Sequence, residues 1–259
     1  MNMVDDAQGT TMSSMCEAET TEGAMRLLWR WVETYGIPRA LYTDRKNVFI
    51  TDREPTLEEQ LAGEEPKTAF GKACAKLEIE IIPANSPQAK GRVERNHGVY
   101  QDRLVKEMDL KRITTITGAN KLLHNGFTDQ LNAKFEREAA DPTNYHRPLP
   151  AGLDLADVFC FEEHRVVQND WTVRFQNCHY QILRENKPLP KPKDKVLVRL
   201  RLDATLHLVY RGTPLAYRRI TVKELRSRAD KKKAAAPKPT NSPWRQNCTR
   251  MFADTKERK

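Results

Sequence analysis

"LEIEIIPANSPQAKGRVERNHGVYQDRLVKEM", residues 77–108, places a strand, a turn and a helix in succession. Over 77–82 the apolar Leu77, Ile79 and Ile81 alternate with Glu78 and Glu80, the period of a strand with one covered and one wet face. The prolines and Gly of "PANSPQAKG" interrupt that alternation. From 91 to 108 the period changes to that of a helix, and Val93, His97, Tyr100, Leu104 and Met108 form its expected buried stripe. Glu94 and Gln101 lie beside the stripe. Glu94 is also the one acid in a run that carries Lys90, Arg92 and Arg95. Such a run reads either as a solvated salt-bridge patch or as a metal-binding carboxylate beside a phosphate-binding cluster.

Upstream, residues 20–36 predict a helix. Thr20 or Thr21 caps it, and Ala24, Leu27, Leu28, Trp31, Val32 and Tyr35 share one face. Gly36 and Pro38 end it. "RALYTD" (39–44) predicts a short strand that stops at Asp44, 45–65 an irregular loop, and 67–77 a short helix. Downstream, 117–139 reads as an amphipathic helix through Leu122, Leu123, Phe127, Leu131 and Phe135. "DPTNYHRPLP" (141–150) is a Pro-punctuated linker in which His146 is expected to fix the chain to the core. From 165 to 220 six short runs follow at intervals of about ten residues, the pattern of a small antiparallel barrel. Trp171, Phe175, Tyr180 and Tyr210 supply its expected core, and Arg174, Arg199, Arg201 and Arg211 alternate with them. Residues 223–259, with "KKKAAAPKP", read as a basic disordered tail. The organisation is an α/β unit at 1–140, a linker at 141–159, a β module at 160–222 and that tail.

Charge follows the same division. Residues 1–159 hold 20 Lys and Arg against 25 Asp and Glu, whereas 160–259 hold 24 against 10. A basic carboxyl-terminal part on an acidic amino-terminal part suits a nucleic-acid partner. A mean hydropathy of −0.73, no apolar run near the ~20 residues that span a bilayer and no signal peptide exclude a membrane function. The five cysteines, 16, 74, 160, 178 and 248, form no CxxC pair, which points to reduced thiols and a cytoplasmic chain rather than a zinc site or disulfide frame.

Asp44 at a strand end and Glu94 on a helix can converge at the mouth of an α/β sheet. Mg²⁺ takes one or two carboxylates together with water and phosphate oxygens. Lys90, Arg92 and Arg95 would then hold a DNA backbone beside it. These residue types alone do not separate that site from a charged surface.

"YGIPRALYTDRKNVF" and the 77–108 stretch resemble the core of insertion-sequence transposases of the ISNCY type. That group lies in the DDE transposase and retroviral integrase superfamily, and the similarity runs from about residue 1 to 222. The resemblance implies a ribonuclease H-like fold followed by a barrel like that of Mu-type transposases. It implies DNA transposition and integration by phosphoryl transfer with Mg²⁺ or Mn²⁺, in which water attacks the element end and the freed 3′-hydroxyl then attacks the target. Asp44 and Glu94 match the second and third catalytic, metal-binding acids of that family. The first acid belongs to the first, central strand, and "MVDDAQGTTMSSM" matches the strand pair after it, with Asp5 and Asp6 in the turn. The chain is therefore expected to lack that strand and to be inactive alone. A homo-oligomer on DNA is implied, with another chain able to supply the absent part. The alternative is a non-catalytic DNA-binding remnant or regulator of transposition.

Overall fold

The computed structural model describes residues 1–84, 87–221 and 224, with the side chains of 58, 87–90 and 92 outside that description. Helix α1 (Thr21–Tyr35) starts where the Thr20 hydroxyl accepts the Gly23 N–H at 3.0 Å. It ends at Gly36, whose φ of 96° favours glycine, and a Cβ there would meet the Arg147 carbonyl at 2.7 Å. The predicted face is buried through Leu28 (1% exposed) and Trp31 (3%), but Tyr35 reaches the rim at 36%. Met25, Leu28 and Val32 pack with Phe70, Ala73 and Cys74 of a second helix, Ala69–Lys76, into the main core.

Strands at Ala40–Thr43 and Glu80–Pro83 pair in parallel, with Leu41 opposite Ile81. The second is shorter than its alternating sequence predicts. Leu77 closes the preceding helix, Glu78 takes a φ of 54°, and the Ile79 N–H returns to the Cys74 carbonyl at 2.9 Å. That turn buries Leu77 and Ile79, as a strand would have done. Ahead of them an antiparallel pair, Asn2–Val4 with Thr11–Ser13, sets Met3 opposite Met12. In chain order the four strands are β1 (Asn2–Val4), β2 (Thr11–Ser13), β3 (Ala40–Thr43) and β4 (Glu80–Pro83). They form two separate two-stranded sheets, β1-β2 and β3-β4. The 45–65 segment holds a helix that the loop reading lacks. This is α2 (Leu57–Ala62), closed by a capping box between Thr56 and Glu59, and Ala69–Lys76 is then α3.

Helix α4 (Pro87–Leu110) buries Tyr100 and Leu104 against Leu122, Leu123, Phe127 and Leu131. His97, expected in the buried stripe, is exposed. One turn before Tyr100 the inward position belongs to Asn96, which accepts from Asn2 at 3.2 Å and donates to the Thr11 hydroxyl at 2.7 Å. The predicted helix over 117–139 is broken into α5 (Ile116–Leu122), a π-helical turn (Leu123–Phe127) and α6 (Thr128–Phe135). Asn125 and Gly126 leave helical geometry there, Gly126 with φ 95°. Phe135 is 41% exposed rather than buried. Asn132 of α6 grips the β2 backbone, accepting from and donating to Thr11 at 2.9 Å each.

After the one-turn α7 (Leu155–Val158) come β5 (Cys160–Val166), β6 (Thr172–Phe175), β7 (Cys178–Ile182), β8 (Lys195–Arg201), β9 (Leu206–Tyr210), β10 (Thr213–Leu215) and β11 (Tyr217–Ile220). They form two sheets, ordered β10-β9-β8-β5 and β11-β7-β6. Residues 1–163 with 198–207 form one compact unit, and 164–197 with the described residues from 208 onward the other. Phe175 and Tyr210 are buried as expected. Arg199 and Arg201 are spent on ion pairs. Arg199 meets Glu162 at 2.7 Å, and Arg201 meets Asp157 at 2.6 Å and Asp154 at 2.9 Å. The expected disordered tail at 223–259 lies outside the described residues, Glu224 excepted.

Candidate functional site

Asp44 follows β3 directly, its side chain 26% exposed. One carboxylate oxygen accepts the Lys46 N–H at 3.4 Å, and the other lies 3.3 Å from the Lys46 ammonium. That ammonium also contacts Glu19, the residue just ahead of the α1 cap. The hydrogen bond to Glu19 raises the Lys46 pKa, partly offset by burial, with Asp44 adding to the rise. Lys46 is therefore a cation held between two carboxylates, one just ahead of α1 and one just after β3.

Glu94 stands exposed on α4, one turn before His97. The His97 pKa is lowered, first by partial burial and then by the amino terminus of Met1 and by Lys46, while Glu19 and Glu94 oppose the shift. Glu19, Lys46 and Glu94 thus all act on the His97 imidazole. Among the described residues no hydrogen bond or ion pair joins Asp44 directly to Glu94. Arg95 is exposed on the same helix. Lys90 and Arg92 belong to α4 by backbone, but their side chains lie outside the described residues.

The donor types suit a hard divalent cation in chemistry: carboxylate oxygens, one after a strand and one on a helix. Among the described residues no three His, Cys, Asp or Glu side chains are grouped to hold a metal by themselves. Asp44 and Glu94 are thus fit to be part of a metal site, with Lys46 competing for Asp44. The sequence reading missed Glu19 and Lys46. Their signal was the position of Glu19 against a helix cap and of Lys46 two residues beyond Asp44.

Asp5 sits in the β1–β2 turn, where its carboxylate caps the Ala7 N–H at 2.8 Å and its backbone bonds Thr10. That is the turn role expected of it. His146 accepts from the Trp31 indole at 3.1 Å and meets Asn144 at 2.9 Å, which ties the 141–150 segment to α1.

No family model matches the chain. Over 175 residues it is 35% identical to the "Putative transposase y4bF" of Sinorhizobium fredii, covering 67% of the chain and 37% of that protein. Over 251 residues it is 27% identical to the transposase for insertion sequence IS1202 of Streptococcus pneumoniae, covering 93% of the chain and 53% of that protein. The chain thus spans about half or less of the length of these relatives. A solved simian T-cell lymphotropic virus intasome, in complex with the PP2A regulatory subunit B56 gamma, aligns at a TM-score of 0.35 and 15% identity, covering 83% of this chain and 69% of the other. By its sequence the chain belongs with the insertion-sequence transposases.

Proposed function

We propose that the chain acts on DNA, with Asp44 and Glu94 holding a Mg²⁺ or Mn²⁺ ion and Lys90, Arg92 and Arg95 holding the phosphodiester backbone beside it. The observation that supports this reading is an Asp at the exit of β3, paired with Lys46, and an exposed Glu on α4 in a relative of transposases. A bound divalent cation would supply charge neutralisation at phosphorus and a lower barrier to in-line attack by an oxygen nucleophile. The chain's own contribution is positioning. The strand end fixes Asp44, α4 carries the exposed Glu94 and Arg95, and Lys46 keeps Asp44 charge-balanced before the ion arrives.

The ribonuclease H-like layout is part of the proposal. An antiparallel pair and a parallel pair, each a separate sheet, are what such a fold presents when the strand between them is not counted. In this reading that strand bears the third carboxylate. Strand transfer in this reading needs that strand together with Asp44 and Glu94, in an oligomer on paired DNA ends in the cytoplasm. A second reading, supported by the basic carboxyl-terminal part, is a DNA-binding regulator without catalysis.

Duplex DNA affinity measured with Mn²⁺ and with EDTA separates the two. The metal reading expects tighter binding with Mn²⁺, an increment that Asp44→Asn and Glu94→Gln each abolish. Affinity that depends on salt but is the same with and without metal, and is indifferent to both substitutions, favours the regulator.

A further inference from the structure

A cavity of about 520 Å³ opens between the β1–β2 turn, α4 and the end of α6, within the first compact unit. Arg95 and Arg137 both line it, and neither guanidinium has an ion pair or hydrogen bond among the described residues. Glu138 also lines it, so the wall keeps an excess of one positive charge. Phe135 lines it too, 41% exposed, with the Arg103 guanidinium 5.2 Å from its ring centroid. The Arg137 N–H donates to the Gln8 carbonyl at 2.9 Å, which anchors the chain after α6 to the β1–β2 turn. Gly91 completes the wall from α4, and a Cβ built there meets no atom within 4 Å. Glycine within a helix is unfavourable, and no neighbour requires it here. It leaves a bare patch of backbone facing the cavity, which suits close approach by a ligand.

Unpaired guanidinium groups recognise phosphate oxygens, and an exposed ring beside them offers a stacking platform for a base. The volume falls within the range of small-ligand sites and admits one nucleotide. We propose that this cavity takes a single unpaired nucleotide of a DNA strand, its phosphate between Arg95 and Arg137 and its base against Phe135. The proposal rests on DNA as the partner, and extends the interface from Glu94 and Arg95 to residues that the acidic pair does not involve.

The test uses the full chain in EDTA, so that it is independent of any metal. Fluorescence anisotropy compares a blunt duplex with the same duplex carrying a short single-stranded overhang that contains 2-aminopurine. The overhang should tighten binding about fivefold or more, and 2-aminopurine emission should change on binding. Arg137→Ala and Phe135→Ala should each remove that preference, while Arg137→Lys should retain part of it. Equal affinity for both duplexes with unchanged emission, or a preference that survives Arg137→Ala and Phe135→Ala, overturns the nucleotide pocket and leaves the DNA reading standing. Binding of neither duplex overturns both. Should a variant fail to fold, the wild-type comparison and the emission change decide the matter by themselves.

Discussion

Lys46 sets the electrostatic state of Asp44. Its ammonium lies 3.3 Å from that carboxylate and also contacts Glu19, yet it is about half exposed, at 52%. Two unit charges at this distance interact by about 1 kcal/mol in water, and salt reduces that further. Lys46→Ala is therefore expected to raise Mn²⁺ affinity about threefold to tenfold at low ionic strength, with the gain shrinking as salt is added. A fall in affinity would make Lys46 a contributor to the site instead of a competitor. His97 offers a second readout. Its pKa is lowered by partial burial and by the nearby amino terminus and Lys46, so the folded chain binds a proton there less readily than the unfolded chain. The associated stability is fully present above the ordinary value of about 6.5 and is lost as pH falls through the lower folded value. Its NMR titration should have a midpoint below 6.5, and His97→Gln should weaken the acid destabilisation in that window. At this scale Asp44 stands out because it directly follows a strand, and Glu94 because it is the one acid in a basic stretch of α4. Lys46 and Glu19 are not, because their pairing depends on how the β3 exit meets the start of α1.

Helix α1 carries the main core, and its sequence announces both its ends. Thr20 caps it and Gly36 stops it, while the apolar residues keep one period throughout. Leu28→Ala should cost about 2–5 kcal/mol, as for other buried leucines, and Thr20→Ala about 1 kcal/mol, both measured by denaturant unfolding. Cys74 of α3 lies in the same core, where burial pushes its thiol up to about 12. A thiol reagent should modify exposed Cys16 in the native protein and reach Cys74 only on unfolding. Rapid native labelling of Cys74 would contradict this packing. The 117–139 segment was less legible, since its apolar period runs unbroken across Asn125 and Gly126 while the backbone does not. There the Asn-Gly turn chemistry outweighs the pattern. The same holds at 77–79, where alternation marks two buried residues but only a turn joins them. For α2 the Thr56 and Glu59 signature was in the sequence, within a stretch too charged to reveal an apolar face.

For the whole molecule, the charge division read from the sequence predicts where DNA affinity resides. Binding should weaken steeply as salt rises, because released counterions drive it. A flat salt response would remove DNA as a partner. The two classes of strand texture also survive in the structure, the helix-bearing part at the start and the short antiparallel strands after residue 160. Less legible was the way strands group. The α/β part holds two separate pairs and the later strands form two sheets, and a period-2 pattern says which face is covered but not which strand lies alongside. The nucleotide cavity was illegible for a similar reason. Gln8, Gly91 and Arg137 are far apart in the chain and meet only once α4 and α6 close on the β1–β2 turn.

The central claim, that Asp44 and Glu94 hold one divalent cation, is most directly tested by titrating Mn²⁺ into the purified chain and following the free ion by electron paramagnetic resonance. A weak site is expected, tightened by DNA, that Asp44→Asn and Glu94→Gln each weaken at least tenfold, since each removes one of few charged ligands. Mn²⁺ binding that both substitutions leave unchanged would contradict it.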